Sequence, residues 1–249
     1  CYLADIPPLP KTAGFSKSIN QLTTLFFNTM KLILILLYTF LSSQLVNAQS
    51  NVVNVQDFGA MANGTDDAPG IQAAIDSVPD GGVVFFPSGF YNIYSPIAVR
   101  SNITLEGEGL GRVESNPVKS KIEARVTMPS MFVSSTPNLD NFQAIGLQFD
   151  GGSHRGTQVN WVFDLTDADN CAWQAVRAER VSGGGFRLGT ASVDNLFQDC
   201  MVGVDGNPFF LEGVRQIVET CYVSGGSGAV VAGRRHLFQN CHFERSTGS

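Results

Sequence analysis

Asn195-Leu196-Phe197-Gln198-Asp199-Cys200-Met201-Val202 realigns on Gln216-Ile217-Val218-Glu219-Thr220-Cys221-Tyr222-Val223 and on His236-Leu237-Phe238-Gln239-Asn240-Cys241-His242-Phe243, with the cysteines 21 and 20 residues apart. A fixed period of a few tens of residues marks a solenoid, because a unit this short cannot bury its apolar face alone and must stack on its neighbours. Cys171 to Ala178 is a weaker copy, and Phe142 to Phe149 is another. Each repeat also carries a second, glycine-opened strand: Gly185-Phe186-Arg187-Leu188-Gly189, Pro208-Phe209-Phe210-Leu211-Glu212-Gly213 and Gly228-Ala229-Val230-Val231-Ala232-Gly233. Two to three short strands per turn, with like residues stacked on like, explain why Phe197, Val218 and Phe238 recur at one position and Val202, Val223 and Phe243 at another. The Leu-x-x-Leu-x-Leu signature of leucine-rich repeats does not recur, and a β-sandwich would not require successive units to match.

Composition agrees with an all-β chain. Of 249 residues 43% are hydrophobic and only 15% charged, enough to bury a core and too few charges for helical surfaces, while Gly 26 and Phe 18 suit short strands joined by tight turns. The net charge of −6 excludes a nucleic-acid partner, since phosphate binding rests on clustered Lys and Arg. The densest basic run, Arg234-Arg235-His236, is too short to form such a patch.

Upstream of the repeats stand Asp57-Phe58-Gly59-Ala60, Asp66-Asp67, Ile71-Gln72-Ala73-Ala74-Ile75-Asp76, Gly81-Gly82-Val83-Val84-Phe85-Phe86-Pro87-Ser88-Gly89 and Leu105-Glu106-Gly107-Glu108-Gly109. Their order and spacing resemble the N-terminal region of the pectate-lyase-like superfamily, in the rhamnogalacturonase, epimerase and tailspike group. The resemblance implies a single-stranded right-handed parallel β-helix with a short N-terminal capping helix, and a polysaccharide as partner. It does not choose a reaction, because family members share the scaffold and differ in chemistry. The Asn-Thr-Asp, Gly-His-Gly and Arg-Ile-Lys signatures of polygalacturonases are absent, and the one Asp-Asp pair lies in the capping segment.

Four segments follow. Residues 1–29 read as a non-native upstream extension. Residues 30–48 read as a secretory signal, with Met30-Lys31 before an apolar run and Val46-Asn47-Ala48 at a small-residue cleavage site. Residues 49–100 hold the cap and first strands, and 101–249 the coils, which read as truncated at the C-terminus. The apolar run from Leu32 to Leu41 is shorter than the roughly 20 residues of a bilayer span, so the mature protein is expected to be secreted with no membrane span. Asp66 to Val78 is expected to be an amphipathic helix capped by Asp66 or Asp67, with Ile71, Ala74, Ile75 and Val78 as its apolar stripe. Cys200, Cys221 and Cys241 share one repeat position and are expected to stack as free thiols beside a free Cys171. No Cys-x-x-Cys or paired-His spacing indicates a metal site. The sequence sets no oligomeric state.

In the resembling family the substrate groove follows the sheet whose strands come after the long, variable turns. If Phe163, Leu165, Phe186, Leu188, Phe209, Leu211, Ala229 and Val231 point inward here, alternation turns Asp164, Arg187, Phe210 and Val230 outward in one column. Asp164 and Arg187, with Asp205 and Glu212, are the candidate catalytic groups. Phe210, with Asp150, His154 and Arg155 of the Asp150-Gly151-Gly152-Ser153-His154-Arg155 turn, are the candidate substrate contacts, placed around that column. Glycoside hydrolysis needs two carboxyl groups, about 5 to 5.5 Å or about 6.5 to 9.5 Å apart, which Asp164, Asp205 and Glu212 can supply. A lyase needs a base beside a uronate carboxylate and cations for the developing charge, a task suited to Arg187, His154 and Arg155. No cofactor is indicated by the sequence, and the resemblance leaves calcium, used by many pectate lyases, as the candidate. Calcium would need converging carboxylates, for which Asp164, Asp167 and Asp169 are the one cluster, and an acidic turn is their plainer reading. The function expected is thus an exported polysaccharide lyase or glycoside hydrolase acting on a pectin-like or alginate-like polymer. The alternative is a non-catalytic, adhesin-like or tailspike-like glycan binder.

Overall fold

The computed structural model describes residues 30, 31, 33, 51–110, 119–226 and 228–244. Met30, Lys31 and Ile33 are helical and belong to a unit, Cys1–Ser50, that is separate from Asn51–Ser249. The 1–29 extension and the rest of the 30–48 leader lie outside the described residues. Among the described residues no helix is long and apolar enough to cross a membrane.

From Asn51 onward the chain winds as a right-handed parallel β-helix with three long sheets and a two-stranded one, Leu139–Asp140 with Ala168–Asp169. The first holds Val52–Asn54, Gly82–Phe86, Ile103–Gly107, Gln143–Ile145, Ala172–Gln174, Leu196–Gln198, Ile217–Glu219 and Leu237–Gln239. The second holds Asn63–Asp66, Gly89–Ile93, Ser120–Ala124, Gln148–Asp150, Arg177–Val181, Met201–Val204, Tyr222–Gly225 and His242–Glu244. The third holds Ile97–Val99, Met128–Ser134, Val159–Leu165, Gly184–Leu188, Phe209–Leu211 and Val230–Val231. The repeats pair in the register that the sequence implies: Trp173 on Phe197, Phe197 on Val218 and Val218 on Phe238.

Two-residue corners join the first sheet to the second at Gly146-Leu147, Ala175-Val176, Asp199-Cys200, Thr220-Cys221 and Asn240-Cys241. The first residue of each takes the left-handed backbone, with φ of 63°, 49°, 54°, 51° and 53° in that order. For Ala and Thr that conformation costs about 1–2 kcal/mol. The bend keeps the ladder intact as compensation: Gly146 N–H donates to Gln174 O, Ala175 N–H to Gln198 O, Asp199 N–H to Glu219 O and Thr220 N–H to Gln239 O, at 3.0 to 3.1 Å.

Inside, aromatic rings stack coil upon coil. Phe132, Phe163, Phe186 and Phe209 are fully buried, with successive centroids 4.8, 5.6 and 5.6 Å apart, and Trp173 lies on Phe197 at 4.7 Å. The four cysteines are free, as expected. Cys200, Cys221 and Cys241 form one column, each donating its S–H to a carbonyl of the preceding coil, Trp173 O, Phe197 O and Val218 O, at 3.3 to 3.5 Å. Burial pushes the Cys171 thiol up to about 12, and contact with Cys221 together with burial raises Cys200, so Cys171 and Cys200 pack rather than react, while the same contact lowers Cys221. One inward expectation fails on the last strand: Val231 pairs in register with Leu211 yet is 43% exposed, because no described strand lies on its far side.

Helix α1 (Ala68–Ser77) lies over the first coils with Ile71, Ala74, Ile75 and Val78 buried, the stripe its spacing predicts. The two acids divide their work. Asp66 caps, its Oδ1 accepting from Ala68 N–H at 3.0 Å. Asp67 makes no side-chain cap; fully buried, it accepts Ala62 N–H on Oδ1 at 3.1 Å and Asn92 N–H on Oδ2 at 2.8 Å, tying the entry turn to the second sheet. Burial raises the pKa of Asp67, with the Asn92 and Ala62 N–H groups partly offsetting it. The folded state therefore holds this proton to higher pH than the unfolded chain, and the resulting stability is present below the ordinary aspartate value of 3.8 and lost as pH rises through the folded value. Unfolding free energies of wild type and Asp67→Asn, measured from about pH 3 to about pH 7, should show the wild type's relative stability falling with pH; a constant difference would contradict this.

Candidate functional site on the third sheet

The third sheet presents the outward column that alternation predicts. Val133 pairs with Asp164, Asp164 with Arg187, Arg187 with Phe210, and Phe210 with Val230, while Phe163, Leu165, Phe186, Leu188, Phe209 and Leu211 are fully buried beneath. Arg187 Nη1 donates to Asp164 Oδ2 at 3.4 Å, with the two side chains 45% and 23% exposed. A pair so long and so wet contributes about 0–1 kcal/mol, which leaves the guanidinium free to exchange partners. The other carboxylate oxygen, Asp164 Oδ1, is buried and has no hydrogen-bond partner among the described residues. Glu212 follows the strand Phe209–Leu211 and is half-buried, its N–H bonded to Leu188 O.

Trp161 joins this face without having been foreseen. Val162 and Phe163 are consecutive and both fully buried, so the strand breaks its alternation there and Trp161 falls outside. Its indole meets Phe210 edge-on, 6.1 Å between centroids at 66°. The signal was present in the next coil, where Gly183-Gly184-Gly185 leaves the sheet bare opposite Trp161.

The remaining candidates gather on the second sheet instead of around this column. Asp150 is the last residue of the strand Gln148–Asp150 rather than a turn residue, and it is fully buried. Register places it between Glu123 and Glu179, beside a parallel column of Lys121, Gln148 and Arg177. Asp150 pairs with Lys121 and with Arg180 Nη2 at 2.5 Å, Arg180 also reaches Glu179 at 2.7 Å, and Glu123 pairs with Arg155 and with Arg125 at 3.2 Å. Arg155 and His154 come from the 3₁₀ turn Ser153–Arg155, both exposed, with Arg155 lying over Glu123. Asp205 lines a shallow hollow of about 260 Å³ with Ser153, Arg180 and Ser224 at the edge of this sheet. Asp150 is thus the centre of an ion network, and its Oδ1 also accepts Gly152 N–H at 2.9 Å.

The acids considered for calcium do not converge. Asp169 is occupied by Val193 N–H at 2.8 Å, and burial, with Asp167, Asp140 and Asp194 nearby, raises its pKa. Among the described residues no group of three or more His, Cys, Asp or Glu is placed to hold a metal ion.

The stacked parallel sheets define a parallel β-helix. The profile of the rhamnogalacturonase A/epimerase, pectate lyase-like family matches residues 52–248, and the chain belongs to that family. It is 29% identical over 178 residues to mannuronan C5-epimerase AlgE1 of Azotobacter vinelandii, covering 62% of this chain and 12% of that protein. To rhamnogalacturonase A of Emericella nidulans it is 30% identical over 131 residues, 51% of this chain and 26% of the relative. The solved A-module of mannuronan C-5 epimerase AlgE6 from A. vinelandii superposes with a TM-score of 0.66 at 21% identity, over 78% of this chain and 57% of the module. The chain thus spans about a quarter or less of the length of the two relatives matched by sequence.

The two faces should respond unequally to loss of an acid. Asp150→Ala strands Lys121 and Arg180 and should cost about 3–5 kcal/mol of stability by denaturant unfolding, whereas Asp164→Ala should cost no more than about 1 kcal/mol. Equal losses at the two sites would refute this division.

Proposed function

We propose that this chain is a carbohydrate-active enzyme that acts on an acidic polysaccharide held along the outer face of the third sheet. The observation that carries the reading is the loosely paired, half-exposed Arg187 between Asp164 and the Phe210 ring. A guanidinium recognises a carboxylate with two parallel N–H donors, and its tie to Asp164 is weak enough to give way to a uronate. Membership in a family with epimerase and rhamnogalacturonase relatives supports the same substrate class.

Lyase chemistry fits this face better than hydrolysis. Asp164 and Glu212 stand two strands and two residues apart, about 12 Å between Cα atoms at 4.8 Å per strand and 3.3 Å per residue, so their carboxyl groups reach the range of about 5 to 9.5 Å of glycosidase pairs only if both side chains lean toward each other. Arg187 and Glu212 stand one strand and two residues apart, about 8 Å by the same spacings, room for one sugar ring between them. Arg187 would hold the uronate carboxylate and stabilise charge developing on it, and Glu212 would take the proton from the adjacent carbon. The released electron pair forms the ring double bond as the bond to the glycosidic oxygen breaks, the leaving oxygen takes a proton from water, and Asp164 yields Arg187 to the uronate. The second reading, a non-catalytic glycan binder, is favoured by the presence of aromatic and cationic contacts with few acids.

Incubation with pectins, alginates and neutral glucans, following unsaturated-uronate absorbance and new reducing ends together, separates the readings. Both signals rising together indicate elimination, reducing ends alone indicate hydrolysis, and retention on an acidic polymer with neither signal indicates a binder. Arg187→Ala should reduce turnover or retention at least about tenfold with an unchanged melting temperature; full activity in that variant would defeat the proposal. The leader-like segment Met30–Ala48 supports export as part of this reading, and secreted protein should begin at Gln49 by intact mass.

A further inference from the structure

We propose that Trp161 and Phe210 form a saccharide-stacking corner beside Arg187, and that Gly184 is the residue that lets this corner exist. The inference rests on the reading of the third sheet given above and names the ring-binding part of that face.

Gly184 pairs with Trp161 across the sheet, and a Cβ built on it would strike Cζ3 and Cε3 of the indole as well as Asn207 O. The six-membered ring of Trp161 therefore rests directly on the Gly184 backbone, a position that any other residue would deny it. The residue is half-buried, so part of the ring stays open to solvent. The indole spans the strand Gly184–Leu188 to reach Phe210 on the strand beyond, where the rings meet at 66°. Two aromatic planes at that angle make a floor and a wall.

Apolar packing alone would not place a ring here, because the core lies on the other side of the strand and the column Phe163, Phe186 and Phe209 is complete without Trp161. The flat C–H face of a pyranose fits an aromatic floor, and the rim chemistry selects which pyranose. Arg187 pairs with Phe210, and it lies three residues along its strand from Gly184, about 10 Å at 3.3 Å per residue. A sugar resting on the indole thus brings its own carboxylate, or that of the next ring, to the guanidinium. Among the described residues the hydrogen bond of Arg187 is the one to Asp164, which leaves N–H donors of the fork for a ligand. The corner is assigned to hexuronate rings in preference to neutral hexoses.

The chain has two tryptophans, and Trp173 is fully buried in the core, so a fluorescence change on binding reports Trp161. The test titrates wild type, Trp161→Ala, Trp161→Phe, Gly184→Val and Arg187→Ala with oligogalacturonate, oligomannuronate and a neutral gluco-oligosaccharide, with circular dichroism checking the fold. Expected are a fluorescence change with a uronate oligomer only, affinity lower by about tenfold or more in Trp161→Ala and Gly184→Val, and substantial retention in Trp161→Phe, which keeps a ring. Uronate binding that Arg187→Ala loses and folded Trp161→Ala keeps would overturn the corner while sparing the third-sheet reading. A neutral oligomer bound as well as the uronates would overturn the assigned specificity, and no binding by wild type would overturn both inferences.

Discussion

Coils can stack in register only if the chain turns each corner without leaving a backbone donor stranded. From Gly146 onward that constraint is met between the first and second sheets by one left-handed residue per turn, and its N–H in the coils up to Thr220 continues the ladder to the next coil. Local strain of about 1–2 kcal/mol is accepted at Ala175 and Thr220 because a buried, unpaired N–H would cost as much or more. Once the corner is fixed, side-chain phase follows on every strand after it. The aromatic stack, the thiol column and the outward column of the third sheet all inherit that phase.

Much of this was legible in the repeats. Asn195 to Val202 and its copies matched residue for residue because stacked positions share one environment, so the register of the first two sheets could be read directly. The inward set from Phe163 to Leu211 followed from alternation and holds. Trp161 was hidden because Val162 and Phe163 break that alternation, and a strict period of two would have turned the indole inward. The ion network was hidden for a different reason: Lys121 and Glu123 belong to coils too diverged to show a repeat, and Asp150 before Gly151 reads as a turn former. Asp66-Asp67 likewise looked like a cap in duplicate, whereas only the first acid faces the helix and the second is claimed by Asn92.

The second and third sheets put charge to different uses. On the second, Glu123 and Asp150 are almost wholly removed from water, and the guanidiniums of Arg155 and Arg180 close over them. Such a network has little freedom to rearrange, since every member depends on its neighbours for solvation. On the third, Asp164 and Arg187 meet at 3.4 Å in partial contact with solvent. The rigid network braces the coil while the loose pair stays able to change partners, so charged groups on the two faces are not equivalent as candidates for recognition.

The corners also differ in what length they allow. From Gly146 to Cys241 the connection between the first and second sheets stays at two residues, while that between the second and third runs from Ser182-Gly183 to the longer stretch between Asp150 and Val159. A residue added at one of these tight corners would disturb the left-handed turn and its hydrogen bond to the next coil. One added between the second and third sheets only lengthens a loop beside the third. Descent can therefore rewrite the rim of the saccharide face, insertion by insertion, while the winding of the molecule stays the same.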